Sequence, residues 1–363
     1  MRKDAPRETA SRAGTEHLFA GRLSGEARAV LGWTLAAFVV RLLLAWRVEH
    51  VISPDGVEYV RLGRNLVSGH LAAGMSTYFP PLYPLLVGLA SLVFGDGELA
   101  GRFVSVVAGS LLVVPAYALA REWYGERAAM VAAALVALHP VLAYYSTVVL
   151  TEATYTLLFT CGVLAGWTAL SGRRARAYAL AGAAFGACYL LKPEAVGFVV
   201  LLVALVLCRK LFDRAHTLRL AARQALALCA GFALAASPYL LYLWGYTGGL
   251  TLSGKTGGHV LQGSRRVAGE VGPHLDGPPP GLTDVAVQLL KALRFEYELF
   301  NLLFPFAFVV LAALGLFRER WTRERAWREG YLFAFLLATL AGYAVTLPNI
   351  RFFVPLVPLV LCW

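Results

Sequence analysis

The sequence predicts an all-α, polytopic transmembrane helical bundle of about ten spans. Three observations predict it: the composition, the length of the apolar runs, and the placing of basic residues between them. Of 363 residues, 58% are hydrophobic and 15% are charged, and the mean hydropathy is +0.63. A soluble domain holds roughly 45–50% apolar and about 25% charged residues. A larger core cannot absorb that excess, because a surface must still be covered at this size. The composition therefore argues against a soluble enzyme and against a disordered chain. The five Cys all sit in apolar runs, without CxxC or Cys/His spacing, and read as small hydrophobes. The net charge of +11 reads as a positive cytoplasmic face, not a nucleic-acid surface.

Residues 1–28 are polar and basic and carry no apolar h-region, so they read as a cytoplasmic tail. Residues 29–363 form the membrane domain. A helix crosses a bilayer with roughly 20 apolar residues. The stretches that reach or approach this are Ala29–Trp46, Leu99–Ala120, Ala128–Tyr145, Thr151–Leu170, Tyr178–Leu191, Ala195–Leu207, Leu220–Trp244, Phe300–Phe317 and Tyr331–Leu347. A last one, Phe352–Trp363, meets the end of the chain, as expected of a C-terminally truncated piece or a short member of its kind.

Leu82–Phe94 follows Pro80-Pro81 and has 13 residues, too few for a span. Charge decides its placement. If it does not cross, the inner segments 1–28, 121–127, 173–176, 209–223 and 318–328 hold 21 of the 33 Lys and Arg residues. If it crosses, the two richest basic clusters after the tail land outside, against the positive-inside rule. The expected topology therefore has a cytoplasmic N-terminus in a plasma (inner) membrane, with Leu82–Phe94 as a juxtamembrane helix on the outer face. The first outer loop is then 48–98. A second, 245–298, is rich in Gly and Pro and cannot be one regular element. The segment 211–222 reads as amphipathic on the cytoplasmic surface.

Nucleotide signals are absent: the Gly-rich GKTGG around Lys255 lacks P-loop spacing. The notable charges lie at the outer ends of spans. Asp55, in SPDGVEY, precedes a helix expected over about 57–68, where it serves as an N-cap or as a reactive acid. Glu58 lies one turn on, as a surface residue or a second acid, beside Tyr59. Glu152 opens an outside-to-inside span; it either complements the helix dipole or faces the bundle interior as a functional group. Lys192, in LLKPEA, ends a span at Pro193 and either snorkels to the interface or binds an anion. Arg351 opens the last span from outside, against the charge bias. Arg102 is similar, with a salt bridge to Asp96 or Glu98 as its plain alternative. His139 precedes Pro140 within an apolar helix and reads as packed. No cofactor is indicated. A divalent metal is conceivable only where His259 or His274 meets a carboxylate, and neither has metal-ligand spacing.

The order PDGVEYVRLGRNLVSGH, YFPPLYPLLVGLASLVFG, GRFVSVVAGSLLVVPAYALAREWYG, HPVLAYYSTVVLTEATYTLL, LLKPEA and NIRFFVPLVP resembles the multi-span GT-C glycosyltransferases. It is most similar to bacterial protein O-mannosyltransferases, aminoarabinose transferases and rhizobial lipopolysaccharide galacturonosyltransferases. The resemblance covers about residues 41–363. It implies a polyprenyl-phosphate-linked sugar donor, a lipid, glycan or protein acceptor, and catalysis on the periplasmic or lumenal face. It also implies an essential acid in the first outer loop, at Asp55, and a second acid at Glu152. Gly56 follows Asp55 where the mannosyltransferase branch often has another acid, and the next acid here is Glu58. The mechanism expected from this is in-line displacement at the anomeric carbon. Asp55 takes the acceptor proton, Arg351 and Lys192 neutralise the leaving phosphate, and Glu152 orients the acceptor or a cation. Glu58, Tyr59 and Arg102 are further candidates for substrate contacts. The rival readings are a transporter or lipid flippase, which needs central charges and repeated halves, and a non-catalytic membrane scaffold.

Overall fold

The computed structural model describes residues 24–47, 51–172, 175–212, 217–254, 282–304, 306–317, 320–344 and 349–363. The predicted Lys255, His259 and His274 lie outside them. All regular elements among the described residues are helical.

The first half of the chain runs α1 (Gly25–Arg47), α2 (Pro54–Val67), α3 (Leu71–Gly74), α4 (Leu82–Phe94), α5 (Gly97–Leu111), α6 (Val113–Leu138) and α7 (Pro140–Tyr145). Then come α8 (Glu152–Gly172), α9 (Ala175–Tyr189), a 3-10 turn (Pro193–Ala195), α10 (Val196–Phe212) and α11 (Leu218–Thr247). The last elements are α12 (Leu282–Leu303), α13 (Phe306–Phe317), α14 (Arg323–Ala344), α15 (Ile350–Phe353), a second 3-10 turn (Val354–Leu356) and α16 (Val357–Val360).

Local chemistry sets several boundaries. Asp96 caps α5 by accepting from the Leu99 amide at 2.7 Å, and Thr217 caps α11. Gly95 and Gly248 end α4 and α11 in the left-handed conformation. Leu112 keeps helical dihedrals, so α5 runs straight into α6. At Gly125 the chain turns with φ 81° and ψ 179°, a geometry that L side chains rarely adopt. Contacts with α1 show a reversal there. Arg102 bonds the Ala45 carbonyl, Arg121 pairs with Glu26, and Arg41 reaches the Ala137 carbonyl. The chain descends along α1 and climbs back, which agrees with the predicted separate stretches 99–120 and 128–145.

The second of those stretches is not one helix. It breaks at His139, which is extended (φ −61°, ψ 122°) because Pro140 disfavours helical dihedrals at the residue before it. His139 thus lies at a joint and not within a helix. The stretch predicted at 300–317 is also divided, with α12 ending at Leu303 and α13 starting at Phe306. Within the predicted outer loop 245–298, α11 takes in residues up to Thr247 and α12 begins at Leu282. In 211–222, helix is described only up to Phe212 and again from Leu218.

α4 coincides with the predicted juxtamembrane segment. Near its start, Tyr83 bonds the Gly101 carbonyl and the Ser105 hydroxyl, at 3.2 and 2.9 Å. At its end, the Phe94 ring packs on Phe103 at 4.8 Å. Both ends of a helix about 20 Å long touch one short stretch of α5, so α4 lies across α5 instead of following it.

Side-chain contacts sort the helix ends into two groups. Glu26, Arg121, Tyr124, Arg328, Glu329 and Trp363 meet at one end, where Tyr124 and Trp363 donate to the fully buried Glu329. Asp55, Glu152, Lys192 and Arg351 meet at the other. Among the described residues, four helical stretches are long and apolar enough to cross a membrane: Gly25–Arg47, Gly97–Leu138, Glu152–Gly172 and Leu218–Thr247. Leucines 35, 226 and 234 are 54%, 71% and 79% exposed on these helices, an apolar outer surface that suits lipid, not water.

Candidate active site

Four charged side chains from distant parts of the chain converge at one end of the bundle. Asp55 stands in the first turn of α2. It is not the cap: Ser53 is, accepting from the Gly56 amide at 3.1 Å. With Pro54 opening the helix, the Asp55 carboxylate is free to point at a side chain. Glu152 is the first residue of α8 and is 2% exposed. Both acids therefore sit at helix N-termini, whose dipole favours negative charge. Lys192 follows the end of α9 and precedes the 3-10 turn, its amide bonding the Cys188 carbonyl at 2.9 Å. Arg351 lies in α15, held by Asn349, whose side chain accepts from the Arg351 amide at 3.2 Å.

The pairs interlock. Arg351 Nη1 donates to Asp55 Oδ2 at 2.9 Å. Lys192 Nζ donates to Glu152 Oε1 at 3.1 Å. Arg351 Nε lies 3.9 Å from that same Glu152 oxygen. Glu152 Oε2 is buried with no hydrogen-bond partner. The two pairs differ in setting: Lys192 and Glu152 are buried, whereas Arg351 and Asp55 are each about a third exposed. Aromatic rings wall the cluster. Lys192 Nζ stands 5.2 Å over Tyr155 and 5.1 Å over Phe352, and the Arg351 guanidinium stands 5.2 Å over Phe352.

Tyr59 lines the cluster from α2 and is 7% exposed. Burial first, then the carboxylates of Glu152 and Asp55, hold its phenol well above the ordinary pKa, so it stays a neutral donor. The structure thus gathers five of the seven predicted site residues. Glu58 is turned to Arg61 at 2.8 Å on an exposed face. Arg102 takes Glu98 at 2.6 Å, the plain alternative expected for it. Neither has a described contact with the four charges.

Two neighbours escaped the sequence reading. Tyr343 donates to Glu194 Oε1 at 3.0 Å and stacks on Phe352 at 4.7 Å, with the rings 9° from parallel. The acid in LLKPEA and the aromatic after Arg351 were visible signals, but their meeting depends on α14. Among the described residues, no group of three or more His, Cys, Asp or Glu side chains could hold a metal ion.

This geometry suits a phosphate-bearing ligand. A guanidinium and an ammonium lie within reach of one carboxylate oxygen, a second carboxylate is poised beside them, and the whole is partly open. Known proteins of this shape carry such ligands in their descriptions. The structure superposes on ArnT from Cupriavidus metallidurans bound to undecaprenyl phosphate with a TM-score of 0.64, at 17% identity, over 92% of this chain and 59% of that one. The chain shares the fold of that transferase. The same fold relates it to the apo oligosaccharyltransferase of Archaeoglobus fulgidus, with a TM-score of 0.54 at 16% identity, over 93% of this chain and 50% of that one.

In sequence, residues 79–242 match the family model of dolichyl-phosphate-mannose-protein mannosyltransferases. The matched segment includes Glu152 and Lys192 but not Asp55 or Arg351. Over 164 residues the chain is 31% identical to the undecaprenyl phosphate-alpha-4-amino-4-deoxy-L-arabinose arabinosyl transferase of Pseudomonas aeruginosa (strain LESB58), covering 42% of this chain and 30% of that protein. The chain spans less than two thirds of the length of these relatives.

Proposed function

We propose that the protein is an integral membrane glycosyltransferase that moves a sugar from a polyprenyl-phosphate donor to a lipid, glycan or protein acceptor. The reading places it in the plasma (inner) membrane of the cell with about ten spans, a cytoplasmic N-terminus and the four-charge cluster on the outer face. The observation that carries it is the shared Glu152 oxygen between Lys192 and Arg351, with Asp55 on the far side of the same guanidinium.

Arg351 donates to Asp55 at 2.9 Å. A donor phosphate entering beside Arg351 competes with Asp55 for that guanidinium, and Arg offers a planar fork that matches phosphate oxygens. Once displaced, the Asp55 carboxylate can accept a proton. The acceptor hydroxyl then attacks the anomeric carbon. The new glycosidic C–O bond forms as the bond between that carbon and the phosphate oxygen breaks, and the hydroxyl proton passes to Asp55. The polyprenyl phosphate leaves with its new charge facing Arg351 and Lys192. Glu152 keeps Lys192 in place, and its free Oε2 can accept from a substrate hydroxyl.

The test is mass analysis of envelope lipids, glycans and proteins from a deletion strain, complemented with wild type or with Asp55→Asn. A glycan lost on deletion should return with wild type and not with the variant. Identical profiles in all strains would remove the reading.

A further inference from the structure

The fully buried Arg41 stands apart from the four-charge cluster, yet its bonds lead to it. Among the described residues, no carboxylate pairs with its guanidinium. Nη2 donates to the Val136 carbonyl at 3.0 Å, Nη1 to the Ala137 carbonyl at 2.7 Å and to Ala37 at 3.3 Å, and Nε to the Ser146 hydroxyl at 3.2 Å.

Each bond has a reason in the sequence. The Val136 carbonyl would receive the amide of residue 140 in a continuous helix, but residue 140 is proline and has no N–H. The break at His139 therefore orphans a carbonyl inside the bundle, and Arg41 fills it. Carbonyls at a helix C-terminus carry partial negative charge, which also offsets the buried cation. Ser146 closes the far side of the joint. It accepts from Arg41 and donates to the Leu142 carbonyl at 2.6 Å.

Beyond Ser146 comes the turn 147–151, and then Glu152. Neighbouring helices grip this turn closely. A Cβ on Gly56, the residue after Asp55, would stand 2.9 Å from the Val149 carbonyl oxygen, and one on Gly109 would stand 2.0 Å from the Ser146 hydroxyl. The Ser105 hydroxyl lies 3.4 Å from the Leu150 carbonyl. The turn thus lies against α2 beside Asp55 and leads directly into α8 at Glu152.

We infer that Arg41 is a positioning residue: by bridging the α6–α7 break to Ser146, it sets the spacing between the carboxylates of Asp55 and Glu152. This rests on the proposed transfer reaction for its kinetic consequence, but not for its structural one. A misplacement of about 1 Å in reacting groups can cost on the order of 10²-fold in rate. Donor affinity, governed by Arg351 and Lys192, should move far less.

The experiment compares wild type, Arg41→Lys and Ser146→Ala in matched detergent by three readouts. These are deuterium uptake by peptide, affinity for undecaprenyl phosphate, and single-turnover transfer per folded molecule. Ser146→Ala keeps all three carbonyl bonds of Arg41, so it tests the bridge even where Arg41→Lys does not fold. The expected result is faster exchange confined to 140–151, affinity within about threefold of wild type, and transfer reduced at least tenfold, within the range for misplaced groups. Wild-type transfer per folded molecule in both variants, whatever their melting temperatures, would overturn the inference, as would exchange raised uniformly across the bundle. If wild type itself neither binds undecaprenyl phosphate nor transfers a sugar, the enzyme reading has failed. Exchange confined to 140–151 would still support the brace.

Discussion

Arg351 and Asp55 are separated by 296 positions in the chain and joined by a 2.9 Å hydrogen bond. The helix that carries Arg351 therefore packs against the start of α2. In the proposed mechanism Arg351 releases Asp55 when donor phosphate enters, so base activation depends on donor binding. The order of events expected is donor first, acceptor second, and steady-state kinetics in both substrates check it.

Asp55→Asn tests the base within that pair. The amide is isosteric and can still accept from Arg351, but it cannot take a proton at this step. Helix α2 keeps its cap, because the cap is Ser53. Folding in the membrane should be unchanged and transfer should fall by roughly 10²–10⁴, the usual scale for a general base. Transfer near the wild-type rate would leave Asp55 as an anchor for Arg351 only.

Arg351→Lys separates a phosphate fork from a mere anchor. Lysine keeps the charge but loses the planar pair of donors. It also cannot hold Asp55 and approach Glu152 through two different nitrogens, as Arg351 does. Donor affinity and turnover should both drop, and Arg351→Ala should be lower still, because ground-state donor already carries the phosphate charge. Binding by Arg351→Lys equal to wild type would favour a headgroup anchor.

The sequence made each charge visible and hid each partnership. Asp55, Glu152, Lys192 and Arg351 stood out because polar groups at the ends of apolar runs are costly unless used. Their pairing could not be read, since it depends on how helices 40 to 296 positions apart pack. The bounds of α4 were legible because a 13-residue apolar run after Pro80-Pro81 is too short to cross a bilayer. Pro140 signals the break at His139, because the residue before a proline is pushed away from helical dihedrals. Arg41 was invisible for a different reason. A single arginine inside an apolar run looks like a snorkelling side chain, and only the orphaned Val136 carbonyl explains why it points inward. Arg102 looked like a site residue by the same outer-face argument that found Arg351, and Glu98 one turn earlier accounts for it.

Topology is tested by reporters. A fusion in 245–298 should report the outer side and one in 318–328 the cytoplasmic side, following the basic bias and the separation of the two bundle ends. Arg325 and Arg328 belong to the end that also holds Glu26 and Arg121. Matching signals from both fusions would mean a wrong number of crossings. Inverted signals would put the four-charge cluster in the cytoplasm and end the proposed mechanism.

The Lys192–Glu152 pair should respond differently from the exposed pairs because of its burial, with the lysine side chain 9% and the glutamate 2% exposed. Removing one partner of a buried pair strands the other charge and costs about 3–5 kcal/mol, whereas replacing both with apolar groups of similar volume is often close to neutral. Glu152→Leu and Lys192→Met should therefore each lower the melting temperature strongly, and the double variant should recover most of the loss. Activity should follow another pattern. If the pair served only stability, the double variant would transfer sugar at the wild-type rate per folded molecule. Because the proposed mechanism has Lys192 neutralise the leaving phosphate and the unpartnered Glu152 Oε2 accept from substrate, the double variant is expected to be stable and inactive. Thermal melts and single-turnover assays on the four proteins of this cycle separate the two roles. A stable double variant with full activity would take both residues out of the chemistry.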